Sequence, residues 1–134
     1  MAFVHGKNTV VTLDGDDLSA FCNSVEFEQE AEALDTTTFG KNSKTYGGGL
    51  KDGTATLEGI YDSTAGTGPA AVVRPLLGTV VELIYQPEGT GTGKPTHTAD
   101  VVVTSYKESA PVAEMITWTA EVQLSDDVAT TTQA

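Results

Sequence analysis

Leu34-Asp35-Thr36-Thr37-Thr38-Phe39-Gly40, a polar connection, and then Leu50-Lys51-Asp52-Gly53-Thr54-Ala55-Thr56-Leu57-Glu58-Gly59-Ile60-Tyr61-Asp62 form the stretch whose reading decides the fold. The second half sets Ala55, Leu57, Gly59 and Tyr61 against Thr54, Thr56, Glu58 and Ile60, the period of a strand with one buried face. Asp52-Gly53 predicts a tight turn leading into it. Between the strands lies a glycine-rich loop, Thr36-Thr37-Thr38-Phe39-Gly40-Lys41-Asn42-Ser43-Lys44-Thr45-Tyr46-Gly47-Gly48-Gly49. Loops this long are uncommon in compact domains and usually belong to a binding surface or stay mobile.

Upstream, Glu26, Glu28, Glu30 and Glu32 alternate with Phe27, Gln29, Ala31 and Ala33. The residue types favour a helix. A helix, however, would stack Glu26 on Glu30 and Glu28 on Glu32, each like-charge pair costing a few tenths of a kcal/mol, roughly. The spacing therefore predicts a strand with one acidic face. Thr9–Leu13 reads as an earlier strand, stopped by the turn cluster Asp14-Gly15-Asp16-Asp17, and Leu18–Cys22 as a second short one. Met1–Lys7 reads as an arm.

Downstream, Pro69–Gly78 holds the one helix the spacing supports, with Gly78 suited to the position past its end. Pro75 either falls in a first turn near Val72 or kinks the helix, since an interior proline costs about 3 kcal/mol. Three strands follow, over Thr79–Gln86, Thr96–Lys107 and Glu114–Leu124. The last is the most clearly amphipathic, with Ile116, Trp118, Ala120, Val122 and Leu124 on one face. The end of the chain, from about residue 127 to Ala134, is small, polar and threonine-rich and reads as a flexible tail.

At 134 residues, rich in glycine and threonine, the chain is most simply one all-β domain. The expected fold is an antiparallel β-sandwich or partly closed barrel of six to eight strands with one short flanking helix. Trp118, Ile116, Val122, Leu83, Tyr85, Val101 and Leu57 form its expected core. Nineteen acidic residues against seven basic give a net charge of −12, which argues against binding nucleic acid through its phosphates. One cysteine, Cys22, excludes an internal disulfide and a cysteine zinc site. No signal-peptide pattern and no apolar run of membrane-spanning length is present, so a soluble protein with no membrane anchoring is expected.

Chemistry-bearing motifs are absent. Gly89-Thr90-Gly91-Thr92-Gly93-Lys94 lacks the spacing of a phosphate loop, with Glu88 and Pro95 where a glycine and a Ser or Thr belong. Asp14, Asp16 and Asp17 lack the rest of a calcium loop and read as a solvated turn. His5 and His97 stand apart from any second ligand, and Cys22 has no base beside it. No cofactor, metal site or catalytic residue is expected. The stripe Glu26/Glu28/Glu30/Glu32 leaves two readings open: a solvated strand face, or a wall that repels phosphates along a conduit. Like charges on adjacent strands repel, which weakens the first.

The pattern TTTFG … GLKDGTATLEGIYD, from Thr36 to Asp62, resembles the tail tube (major tail) proteins of long-tailed bacteriophages. The resemblance covers most of the chain and weakens toward each end. It implies a non-enzymatic structural virion protein that forms hexameric rings, stacked into a hollow tube through which double-stranded DNA passes without specific binding. It further implies tape-measure, tail terminator and tail tip proteins as partners, and a place in the virion tail after assembly in the host cytoplasm. On this resemblance Glu26, Glu28, Glu30 and Glu32 face the lumen, and the loop Thr36–Gly49 reaches neighbouring subunits. A modest N-terminal arm and Pro75 depart from the pattern and leave the inter-ring contacts open. The rival reading is a monomeric β-sandwich binding module for carbohydrate or surface adhesion, which needs an exposed aromatic platform.

Overall fold

The computed structural model describes residues 6–62 and 68–133. Most of the expected N-terminal arm with His5, most of the turn expected after Asp62, and the final Ala134 lie outside the described residues. Among the described residues eight strands build the domain: β1 (Val10–Leu13), β2 (Asp16–Asp17), β3 (Cys22–Asp35), β4 (Tyr46–Ile60), β5 (Val80–Gln86), β6 (Pro95–Ser109), β7 (Thr117–Leu124) and β8 (Ala129–Thr132). They form one antiparallel sheet ordered β2-β1-β5-β6-β7-β4-β3, with β8 pairing β6 beyond the end of β7. The fold is all-β with one short helix, as the sequence predicts.

The sheet curls so that one face encloses a single core. Val11, Leu13, Leu57, Leu83, Val101, Val103, Trp118 and Val122 are buried there, supplied by alternate positions of β1, β4, β5, β6 and β7. Phe27 of β3 stacks on Tyr85 of β5 at 5.2 Å and on His97 of β6 at 5.8 Å, which brings the two flanks of the curl together. Strand pairing does not close it: β3 and β2 end the path. The indole of Trp118 donates to the Phe21 carbonyl at 3.2 Å, so its one polar atom is satisfied inside the core. Tyr85 is half-buried, whereas Ile116 is exposed, contrary to its expected core place. β7 begins one residue later, and the Ile116 carbonyl accepts from the Tyr61 amide at 2.9 Å.

Several other expectations are corrected. Leu18–Cys22 is not a strand: Ser19–Phe21 is a 3-10 turn, and buried Leu18 plugs the core beside it. The hairpin partner of β1 is instead the two-residue β2, while its other edge pairs with β5. Asp14 (φ 51°) and Gly15 (φ 81°) form the tight hairpin loop between them, where both positions need a left-handed backbone. Asp52-Gly53 is no turn but lies mid-strand in β4. A Cβ on Gly53 would sit 2.4 Å from the Glu28 carbonyl oxygen, so the glycine serves close strand approach.

The helix α1 spans Pro69–Val73 and buries Pro69, Val72 and Val73. It opens on Pro69 rather than near Val72. Pro75, which lacks an amide hydrogen, falls where the α-helix gives way to the 3-10 turn Arg74–Leu76. Gly78 follows with φ 77°, as its expected role requires.

The polar C-terminal tail is also ordered where described. β8 zips onto the edge of β6 left free by β7, pairing Ala129 with Thr98 through to Thr132 with Pro95. Gln133 then clamps the Gly89–Lys94 loop. Its side chain accepts from the Gly91 amide at 3.0 Å and donates to the Gly89 carbonyl at 2.8 Å, and its carbonyl accepts from the Gly93 amide at 2.8 Å. Composition suggests a loose end, but a free strand edge with threonines to fit it decides otherwise.

Candidate functional site: the acidic sheet face and the β3–β4 hairpin

The register fixes which side chains share the outer face of the sheet. Val25 and Phe27 lie opposite Leu57 and Ala55 on the core side, so the intervening Glu26 and Glu28 lie opposite Thr56 and Thr54 on the other side. Glu30 follows, paired with Asp52. Glu32 keeps the same parity opposite a bulge, where Gly49 and Leu50 of β4 together face it. A Cβ on Gly49 would lie 2.8 Å from that of Glu32, which explains a glycine in the bulge. All four glutamates are exposed on one face.

The face continues across the sheet. Glu121 of β7 pairs with Thr56, and Glu58 with Thr119. Lys107 of β6 also pairs with Thr119 and is the one cation on these paired positions. Asp52 and Glu121 thus join the stripe, a convergence invisible without knowing that β7 inserts beside β4. Directly opposed carboxylates such as Glu30 and Asp52 destabilise a strand pair. Asp52 is compensated by hydrogen bonds from the Gly53 amide at 2.8 Å and the Gln123 side chain at 2.5 Å.

Beyond Thr54, β4 has only β3 as a neighbour, because β7 pairs with β4 from Thr54 to Ile60. The ribbon of Gln29–Asp35 and Tyr46–Gly53 therefore projects from the body by on the order of 20 Å. The loop at its tip is Thr36–Thr45. Tyr46, Gly47, Gly48 and Gly49, expected in the loop, belong to β4 instead, since their backbones continue the ladder with β3.

Threonines staple the base of that tip. The Thr36 amide donates to the Thr45 carbonyl at 2.9 Å, and the Thr45 amide to the Thr37 hydroxyl at 2.8 Å. The Asp35 carboxylate accepts from the Thr37 amide at 2.9 Å. Hydrogen bonds from Thr37, first its side chain and then its backbone, hold the Asp35 carboxyl below its ordinary range. Thr38, Phe39, Gly40, Lys41, Asn42, Ser43 and Lys44 lie beyond the staple and are all exposed.

A groove of about 710 Å³ lies at the root of the ribbon, between Ala31 and Leu50 on one side and Leu124 and Val128 on the other. Among the described residues no aromatic lines it. Trp118 is 1% exposed, so it offers no platform for a sugar. Burial, and secondarily the charge of Asp17, push the Cys22 thiol up to about 12, which keeps it protonated and unreactive. Asp17 itself caps the Ser19 amide at 2.8 Å, a turn-building role, and among the described residues no three metal-ligating side chains converge.

No protein family and no curated protein matches the sequence. Solved structures do match in shape. A chain of the tail of an empty gene transfer agent particle, refined helically with C6 symmetry, superposes with a TM-score of 0.78 at 13% identity, covering 96% of this chain and 99% of that one. The SPP1 tail tube gives 0.77 at 9% identity, with coverage of 98% and 80%. A chain of the sheath–tube complex of an extracellular contractile injection system in its extended state gives 0.73 at 12% identity, with coverage of 97% and 92%. The whole domain, hairpin included, therefore shares its fold with tail proteins.

Proposed function

We propose that this chain is a structural subunit of a phage-type tail tube, polymerising as hexameric rings stacked into a hollow conduit for DNA. One observation carries the reading: a fold shared from end to end with a tail tube presents an outer sheet face on which seven carboxylates meet one lysine. Such a face suits the inside of a tube. It repels phosphates over a screening length of about 8 Å at physiological salt, so DNA slides past without being held. Glu26, Glu28, Glu30 and Glu32 are the lumen-facing set in this reading, joined by Asp52, Glu58 and Glu121.

The projecting hairpin, including the Thr36–Gly49 segment, contacts neighbouring subunits. A two-stranded ribbon without a hydrophobic face to cover it is marginal on its own, and neighbours would stabilise it. The tape-measure, terminator and tip proteins of a tail are its further partners, and the virion tail is its place, reached from the host cytoplasm. Catalysis has no part in this role. The rival binding-module reading finds no exposed aromatic platform on the body of the domain among the described residues.

Negative-stain microscopy of concentrated purified protein tests the proposal. Rings with sixfold symmetry or hollow tubes are expected. Featureless monomers across salt and concentration would overturn it.

A further inference from the structure

The exposed large apolar side chains are not scattered. Four of them, Leu34, Phe39, Tyr46 and Leu50, lie on the projecting hairpin, and Phe39 at its tip is fully exposed. Four others, Ile60, Val112, Met115 and Ile116, lie at the opposite end of the sheet. The register places them there: Ile60 closes β4 opposite Thr117, while the β6–β7 connection that carries Val112 and Met115 starts after Ser109, itself opposite Thr117. Val112 is as fully exposed as Phe39. Leu77 and Val80 are the exposed large apolar residues outside these two ends among the described residues.

Charge divides the same way. Lys41 and Lys44 flank the hairpin tip, and Lys51 sits on its shaft, so three of the seven basic residues ride on one ribbon. At the other end Glu108 and Glu114 flank the Val112 turn, with Lys107 just before them. The hairpin tip is aromatic and basic, above a shaft that carries Glu30, Glu32, Asp35 and Asp52; the other pole is aliphatic and acidic, and the two face away from each other along the strands.

We infer that the hairpin tip of one copy (Phe39, Lys41, Lys44) seats on the β6–β7 turn of a second copy (Val112, Glu114, Met115) in a head-to-tail contact. Complementary patches joined head to tail make a heterologous contact, which propagates from copy to copy where the rotation does not close it into a ring. The inference rests on the tube reading and names the surface that receives the hairpin. Burial of Phe39 against Val112 and Met115 supplies the apolar part of the contact, and the lysine–glutamate pairs fix its polarity.

Two measurements on the full chain test it. In the first, Phe39→Cys and Val112→Cys are combined in a Cys22→Ser background, since Cys22 is only partly buried, and the assembled protein is oxidised. A ladder of covalent oligomers is expected, with neither single variant producing more than dimers. Tubes that form but yield no ladder would overturn the inference and leave the tube reading standing, whereas wild-type protein that never forms rings or tubes would overturn both. In the second, Lys41→Glu with Lys44→Glu should weaken assembly about tenfold, and adding Glu108→Lys with Glu114→Lys should restore it. Assembly indifferent to the first pair, or a swap that fails to restore it in chains with wild-type melting, would also overturn it.

Discussion

Trp118 shows how much a single side chain contributes to this domain. It fills the centre of the curl, and its indole hydrogen bonds the Phe21 carbonyl, tying β7 to the turn before β3. Trp118→Ala should cost about 3–5 kcal/mol, a large fraction of a small domain's stability, and a urea melt would register it. If the variant melts like its parent, the indole does not hold the core. Gly59 fills a different need. A Cβ there would lie 1.7 Å from the Phe21 carbonyl oxygen, so β4 passes β3 closely only without a side chain. Gly59→Ala should therefore cost on the order of 1–3 kcal/mol by forcing the strands apart, readable by the same melt. Trp118 was legible in the sequence as the largest apolar residue on the cleanest alternation. Ile116 has the same parity but fell outside the core because strand pairing stops one residue short of it, and no pattern marks such an edge.

At the scale of elements, alternation was a reliable guide wherever one face is buried and the other wet. It placed β3 despite helix-favouring glutamates, and it placed β4, β5, β6 and β7. It failed where glycine and aspartate do something other than turn the chain. Asp52-Gly53 carries a turn signature, yet the neighbours that use it, Gln123 on one side and the Glu28 carbonyl on the other, are remote in sequence. β8 was illegible for the same reason: only the exposed edge of β6 gives its threonines a partner. Deleting residues 129–134 should thus loosen the Gly89–Lys94 loop and lower the melting temperature, and faster amide exchange at Gly91 and Gly93 would report it. The hairpin tip makes an opposite expectation. Excising Lys41–Lys44 should leave the fold intact and abolish polymerisation, because nothing in the core touches them; a lowered melting temperature would contradict this. The Asp35 cap adds a pH dependence. Its folded carboxyl titrates below the unfolded value, so the staple is fully present above the ordinary carboxylate range and is lost as pH falls through the folded value. Exchange of the Thr37 amide should quicken, relative to the intrinsic rate, over that acidic window.

On the tube reading, the acidic face sets the terms of assembly for the whole molecule. Bringing six such faces around one axis presses like charges together, so ring formation should improve as salt rises from about 10 mM to about 150 mM and the screening length falls from about 30 Å to about 8 Å. Sedimentation across that range checks it, and assembly that weakens steadily with added salt would place the face elsewhere. Glu28→Lys with Glu30→Lys should leave the monomer folded and slow DNA release from particles, since phosphates would then be attracted; unchanged ejection kinetics would contradict a lumen position. The strand order carries one more consequence, for the birth of the protein. The ribosome makes β3 and β4 early and β5 and β6 later, but strand pairing joins the two halves only through β7, which slots between β6 and β4 and is made after both. Until then the nascent chain carries two unjoined half-sheets with bare apolar faces, and the β4–β7 pairs that unite them are far apart in sequence, a topology that folds slowly. A truncated chain ending at Ala113 should remain unfolded and be degraded rapidly by protease, while completion by the few residues of β7 should snap the domain into place as one cooperative event.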